Sequence, residues 1–194
     1  MTSELPDQVT AILQGLRDAG PRATPALAGE ELAQLGPGVV PRLIEALAAK
    51  EANPQVILQA LARLGESAAA ARACVADLVA DTGQPTIVRC AAALCLGRIG
   101  DEKDTATLGD AAREPEAALR GCAYRALGTI AAGEGLLAPL LGDEPDEVAA
   151  LELVGALARM TRPGTGAARD ALEKAAGRHR YPAVRRAAAD ALSS

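Results

Sequence analysis

VRCAAALCLGRIGDEKDTATL, residues 88–108, is the stretch whose reading decides the fold. Ala92, Leu96 and Ile99 fall on one face of a helix, because residues three and four apart are neighbours there. Gly97 beside Leu96 is small enough for another helix to approach closely, and Gly100 suits the left-handed cap that ends a helix. TATL at 105–108 then starts a second, weaker amphipathic segment.

The same columns recur along the chain. Aligned on Leu96 stand Leu32, Leu61, Leu127, Leu157 and Leu192, spaced by 29 to 35 residues. Four positions before each lies Ala28, Ile57, Ala92, Ala123, Leu153 or Ala188, and three after lies Leu35, Leu64, Ile99, Ile130 or Met160. The residue following each leucine is small: Ala33, Ala62, Gly97, Gly128, Ala158 and Ser193. A fixed period of this length marks a stacked repeat. Each unit predicts a first helix, A, ending in a turn at Gly36, Gly65, Gly100, Ala131 or Thr161, and then a second helix, B.

The clearest B helix is GPGVVPRLIEALAAK at 36–50, with Val40, Leu43, Ile44 and Leu47 as its stripe. Later B helices are predicted around Val75, Leu78 and Val79, at 105–113, at 135–141, and at 166–177 through Ala168, Leu172 and Ala175. Asn53-Pro54, Gln84-Pro85, Glu114-Pro115, Glu144-Pro145 and Tyr181-Pro182 carry the start signals of the next A helices. Residues 6–20 place Val9, Ile12, Leu13 and Leu16 together and read as an N-terminal cap. The expectation is one all-α domain over 1–194 with about twelve helices. It comprises a cap at 1–20, five A–B pairs at about 21–180 and a terminal helix at 181–194.

Composition agrees. About half of the 194 residues are apolar, but there is no Phe or Trp and only two Tyr. Alanine and leucine favour helices, and strand formers are scarce. The net charge of −5 argues against a nucleic-acid partner, whose phosphates call for a basic excess. No apolar run is long enough to span a bilayer, and MTSELPDQVT lacks the features of a signal peptide, so a cytoplasmic protein is expected. Cys74, Cys90, Cys95 and Cys122 form no CxxC pair, and the one histidine, His179, is distant in sequence, so small buried hydrophobes are expected rather than a metal site. No cofactor is expected.

The residues VRCAAALCLGRIG at 88–100, LRGCAYRALGTI at 119–130 and VRRAAADAL at 184–192 resemble the first helix of phycobilisome-lyase-type HEAT repeats, V-R-x-x-A-A-x-A-L-G-x-I-G. LGPGVVPRLIEAL at 35–47 is similar to the matching turn and second helix. The resemblance runs from about residue 24 onward; the fifth unit departs from it, with Ala149 at the opening valine and Thr161 at the closing glycine. It implies a HEAT/armadillo-like solenoid, a right-handed α-α superhelix whose B helices line a concave binding face. Such proteins serve mostly as protein-binding scaffolds, and a minority are enzymes or cofactor lyases.

Enzymatic readings find little support. Metal-dependent hydroxylases of this fold use paired His-Glu motifs, which one histidine cannot supply. HEAT-fold DNA glycosylases use a basic face and aromatic side chains, both lacking here. No GxxxxGK[ST] phosphate loop is present. RPGTGAAR at 162–169 is glycine-rich before a helix and reads as an ordinary turn, and His179 in GRHRYP reads as a surface loop residue. The expected function is a non-enzymatic protein-interaction scaffold; the alternative is a phycobilin-lyase-like protein binding a cofactor or small molecule, or acting as its chaperone.

Candidate partner-binding residues lie off the apolar stripes: Arg42, Glu45, Ala46 and Ala49 in the first B helix, then Arg72, Arg113 and Arg169. Arg178 and Arg180 belong to a basic C-terminal end: residues 159–186 carry a net +6, after six acids and no base at 126–158. The last A helix has no B helix after it, so its outer face is expected either to be polar, through Arg185, Arg186 and Asp190, or to serve self-association into a homo-oligomer.

Overall fold

The computed structural model describes residues 4–19, 25–161 and 166–193. The glycine-rich stretch at 162–165 and the side chain of Leu16 lie outside the described part. The described residues contain α-helices and short 3-10 turns and no strand.

Two compact units divide the chain at Gly100 and Asp101. The first holds α1 (Glu4–Ala19), α2 (Pro25–Gln34), α3 (Val40–Ala48), α4 (Pro54–Leu64), α5 (Arg72–Ala80) and α6 (Thr86–Ile99). Its A helices α2, α4 and α6 pack side by side, with α3 against α4 and α5 against α6. The second unit holds α7 (Thr105–Ala111), α8 (Ala117–Thr129), α9 (Glu134–Leu137), α10 (Glu147–Met160), α11 (Ala167–Arg178) and α12 (Pro182–Ser193). Here α8, α10 and α12 form the A row, with α7 against α8 and α11 against both α10 and α12.

The leucine columns become the cores of these units. Leu32, Leu61, Leu96, Leu127 and Leu157 are fully buried, and Leu192 in the last helix is half-buried. Buried alanines, among them Ala28, Ala92, Ala123 and Ala156, surround them, so apolar burial here comes from many small contacts between closely spaced helices. The packing at Gly128 of α8 shows how close: a Cβ built there would lie 2.6 Å from the Cα of Ala156 in α10.

Helix starts follow the sequence signals. Asn53 accepts a hydrogen bond from the Gln55 N–H at 3.0 Å, and Asp146 accepts one from the Ala149 N–H at 2.9 Å. The helix ends are less uniform than the repeat predicts. Gly36 and Gly65 adopt positive φ, but Gly100 is extended, with φ −85° and ψ 179°. The backbone instead turns left-handed at Ala131, with φ 52°, where a side chain is strained. The B segments vary most. α5 is entered through a 3-10 run at Gly65–Ala71, and the fourth B segment is a single α-turn, α9, followed by a 3-10 turn at Ala138–Leu140.

The close approach at Gly128 makes a paired prediction. Gly128→Ala drives a methyl into the α10 backbone and is expected to cost about 2 kcal/mol. Gly121→Ala, whose Cβ would sit 3.7 Å from the Ala149 Cα, is tolerated and gains up to about 1 kcal/mol from helix propensity. Urea unfolding of the two variants checks this, and equal midpoints would refute the packing account.

Candidate functional site

The opening arginines of the repeat have a structural job. Arg89, Arg120 and Arg185 each stand seven residues before their column leucine. Each reaches back to carbonyls at or just past the end of the preceding B helix, the region where a helix leaves its last carbonyls without intrahelical partners. Arg89 Nε donates to the Val79 carbonyl at 2.9 Å. Arg120 Nη1 donates to the carbonyls of Glu114 and Pro115, at 3.0 and 2.7 Å, and Arg185 Nη1 to that of His179 at 2.6 Å.

Around Arg120 this grows into a buried network. Its Nε and Nη2 form a two-pronged ion pair with Glu144, at 2.9 and 2.6 Å. The Tyr124 hydroxyl donates to the same carboxylate at 2.7 Å, and the Asp146 N–H donates to it at 3.0 Å. Burial alone would raise the Glu144 carboxyl, but the bonds from Arg120, Tyr124 and Asp146 outweigh it and hold the group below its ordinary value. Every member is satisfied, so the network is a structural tie between repeats.

The fifth unit has Ala150 in the arginine position. The next loop takes over the missing contacts. His179 meets the Leu141 carbonyl through Nε2 at 3.1 Å, Arg180 donates to that of Asp143 at 3.3 Å, and the Tyr181 hydroxyl donates to that of Pro145 at 2.6 Å. The Tyr181 N–H donates to His179 Nδ1 at 3.3 Å, so the ring proton sits on Nε2 and the imidazole is neutral. His179 is therefore a buried tie, 5 % exposed, and not the surface loop residue that its basic neighbours suggest. At the other end of α11, Glu134 Oε1 accepts from the Ala168 N–H at 2.7 Å. The start of α11 is thus held by this protein's own carboxylate.

These ties fasten the 134–145 segment to α11 at both ends, with an open groove between the two. There the two walls present mostly small residues, Ala138, Pro139 and Gly142 over the buried Leu141 on one side, Ala167, Ala171 and Ala175 on the other. The result is an open groove of about 530 Å³ inside the second unit. Asp170 stands on its rim towards the start of α11, and Lys174 and Arg178 towards the end.

The residues singled out in the sequence have unequal settings. Arg42 is held by Glu51 at 2.5 Å and by Thr10 at 3.3 Å, while Glu45 and Ala49 are exposed on the same short helix. Ala46 is fully buried, which corrects its reading as a surface position: α3 turns Ala46 inward with Val40 and Leu43. Arg72 opens α5 and is half-buried. Arg113 folds back onto the Gly109 carbonyl at 2.9 Å, and Arg169 pairs with Glu173 one turn on at 3.0 Å. Arg180 lies 5.6 Å over the Tyr181 ring. Of this set only Arg178 lines the groove; its companion Lys174 was not singled out, because a short B segment such as 134–140 gives no sequence signal of the space it leaves.

The cysteines are free thiols; Cys90 and Cys95 are buried, and burial pushes the Cys95 thiol up to about 12. Among the described residues no cluster of His, Cys, Asp and Glu could hold a metal ion, and no helix is long and apolar enough to cross a membrane.

The comparisons with known proteins agree with this architecture. The family model for HEAT repeats matches residues 40–128, from α3 to the end of α8. A designed armadillo repeat protein, solved in complex with the peptide (KR)4, is similar over 97% of this chain and 90% of that one, with a TM-score of 0.60 and 17% identity. The fold is of the HEAT/armadillo type. No curated protein matches in sequence. The HEAT-repeat match ends before the groove, which lies in the repeats that depart most from the shared pattern.

Two acid-labile ties follow from the geometry. Burial, reinforced by Arg180 and Arg185, lowers the His179 pKa from its ordinary 6.5 despite the opposing bond to Leu141. A base depressed in the folded state contributes stability that is complete above pH 6.5 and eroded as the pH falls through the folded value. Glu144, a depressed acid, adds a second loss that starts only below its ordinary 4.5. His179→Gln is expected to abolish the upper step and keep the lower one in urea midpoints measured from pH 7 to 3. Arg120→Leu, which strands Glu144, is expected to cost about 3 kcal/mol at pH 7.

Proposed function

We propose that this HEAT-type repeat protein is a non-enzymatic interaction scaffold that takes a segment of a protein partner into the groove between 134–142 and α11. The observation that carries the reading is the groove itself: preformed, open, apolar in its middle, with its walls fixed by hydrogen bonds at both ends. Pre-set walls lower the ordering cost of binding. α11 is a B helix, and in solenoids B helices commonly line the face that binds. The armadillo neighbour was solved with a bound peptide, which supports the same use of this fold. The basic end of the chain, with Arg169, Arg178 and Arg180, is then the flank of the site.

The cofactor reading that accompanies the phycobilisome-lyase subgroup has weaker support. A tetrapyrrole site calls for stacking rings, and the hydroxyls of both tyrosines tie repeats together at Glu144 and Pro145.

Ala171→Trp fills the groove from α11 without touching either set of ties. Proteins retained from a native lysate by the wild-type chain are expected to be lost from this variant, at unchanged helicity and unfolding midpoint. Retention of the same proteins by both would rule the groove out as the binding face.

A further inference from the structure

We infer that the groove is selective for an acidic segment of a partner protein, one that lays an aliphatic side chain on the alanine floor and sets carboxylates against Lys174 and Arg178. This rests on the groove being the binding face.

Three observations converge. Lys174 and Arg178 stand four residues apart on α11, both exposed and both on the groove rim. Like charges at this spacing repel, so the pair does not stabilise the helix by itself. Arg178 lies in the last turn, where the helix dipole favours a cation, and Lys174 lies four residues after Asp170, whose charge offsets part of its own. Second, three other cations of this end are engaged within the protein. Arg169 is paired with Glu173, Arg185 bonds the His179 carbonyl, and Arg180 bonds that of Asp143. Neither Lys174 nor Arg178 has a carboxylate within 4.0 Å among the described residues.

Third, the groove is polarised. Its one rim carboxylate, Asp170, is in the first turn of α11, a full turn before Lys174. An acidic segment is therefore repelled at one end and attracted at the other, which fixes its direction as well as its charge. Ala138, Pro139 and Ala171 contribute accessible apolar area but are too short in side chains to fill the space, so the occupant must bring the bulk. The resulting match is an aliphatic residue followed, towards the end of α11, by two or more Asp or Glu. A basic peptide such as (KR)4, bound by the designed neighbour, has the wrong sign for this groove.

Selection of a random peptide library displayed on phage against the immobilised full chain tests the inference. Enriched peptides are expected to pair an aliphatic residue with neighbouring acids. A labelled synthetic copy is expected to bind more weakly as ionic strength rises, to lose at least about tenfold in affinity on Lys174→Glu/Arg178→Glu, and to keep it on Lys174→Arg/Arg178→Lys. Enrichment of basic or neutral peptides, or binding indifferent to the double reversal, would overturn the acidic preference and leave the scaffold reading standing. Failure to enrich any peptide would overturn both.

Discussion

Unpaired carbonyls at the ends of the second helices are the constraint on which this structure turns. A helix leaves its last carbonyls without backbone partners, and in a stacked repeat those groups are buried against the next unit. Arg89, Arg120 and Arg185 solve the problem in the same way, by reaching back from the next first helix. Each such bond also fixes the distance between one pair and the next. The motif arginine is therefore part of the spacing of the solenoid, although an arginine at a repeat position invites a functional reading.

The fifth unit shows what happens when the device is missing. With Ala150 in place of the arginine, the carbonyls of Leu141, Asp143 and Pro145 are met from the opposite direction, by His179, Arg180 and Tyr181. Together with the cap that Glu134 places on α11, these contacts hold the two walls at their ends. The fourth B segment is too short, and its neighbours too small, to close the middle. The groove thus coincides with an alanine in the arginine position, a short B segment and a run of alanines, and it sits where the repeat is least regular.

Much of this was legible from the chain. The leucine columns, the small residues after them and the proline-marked starts gave the first helices and their inward faces, because helical periodicity is a local property. The end at Gly100, the left-handed turn at Ala131, the burial of Ala46 and the role of His179 were not legible. Each depends on what a neighbouring element offers across space: a carbonyl, a wall or a gap. His179 lies in a basic loop by sequence, yet its partner Leu141 is 38 residues away.

The sequence by itself determined the helical class, the pairing of helices and the residues that face the core, since all three follow from periodicity and propensity. Only the tertiary structure decided which charges are available. Of the cations in the basic end, Arg169, Arg180 and Arg185 are oriented by a nearby carboxylate or carbonyl, while Lys174 and Arg178 face the groove. The physical reason is that the field a charge presents to a partner depends on its distance from the other charges around it, and those distances are set by elements far apart in the chain.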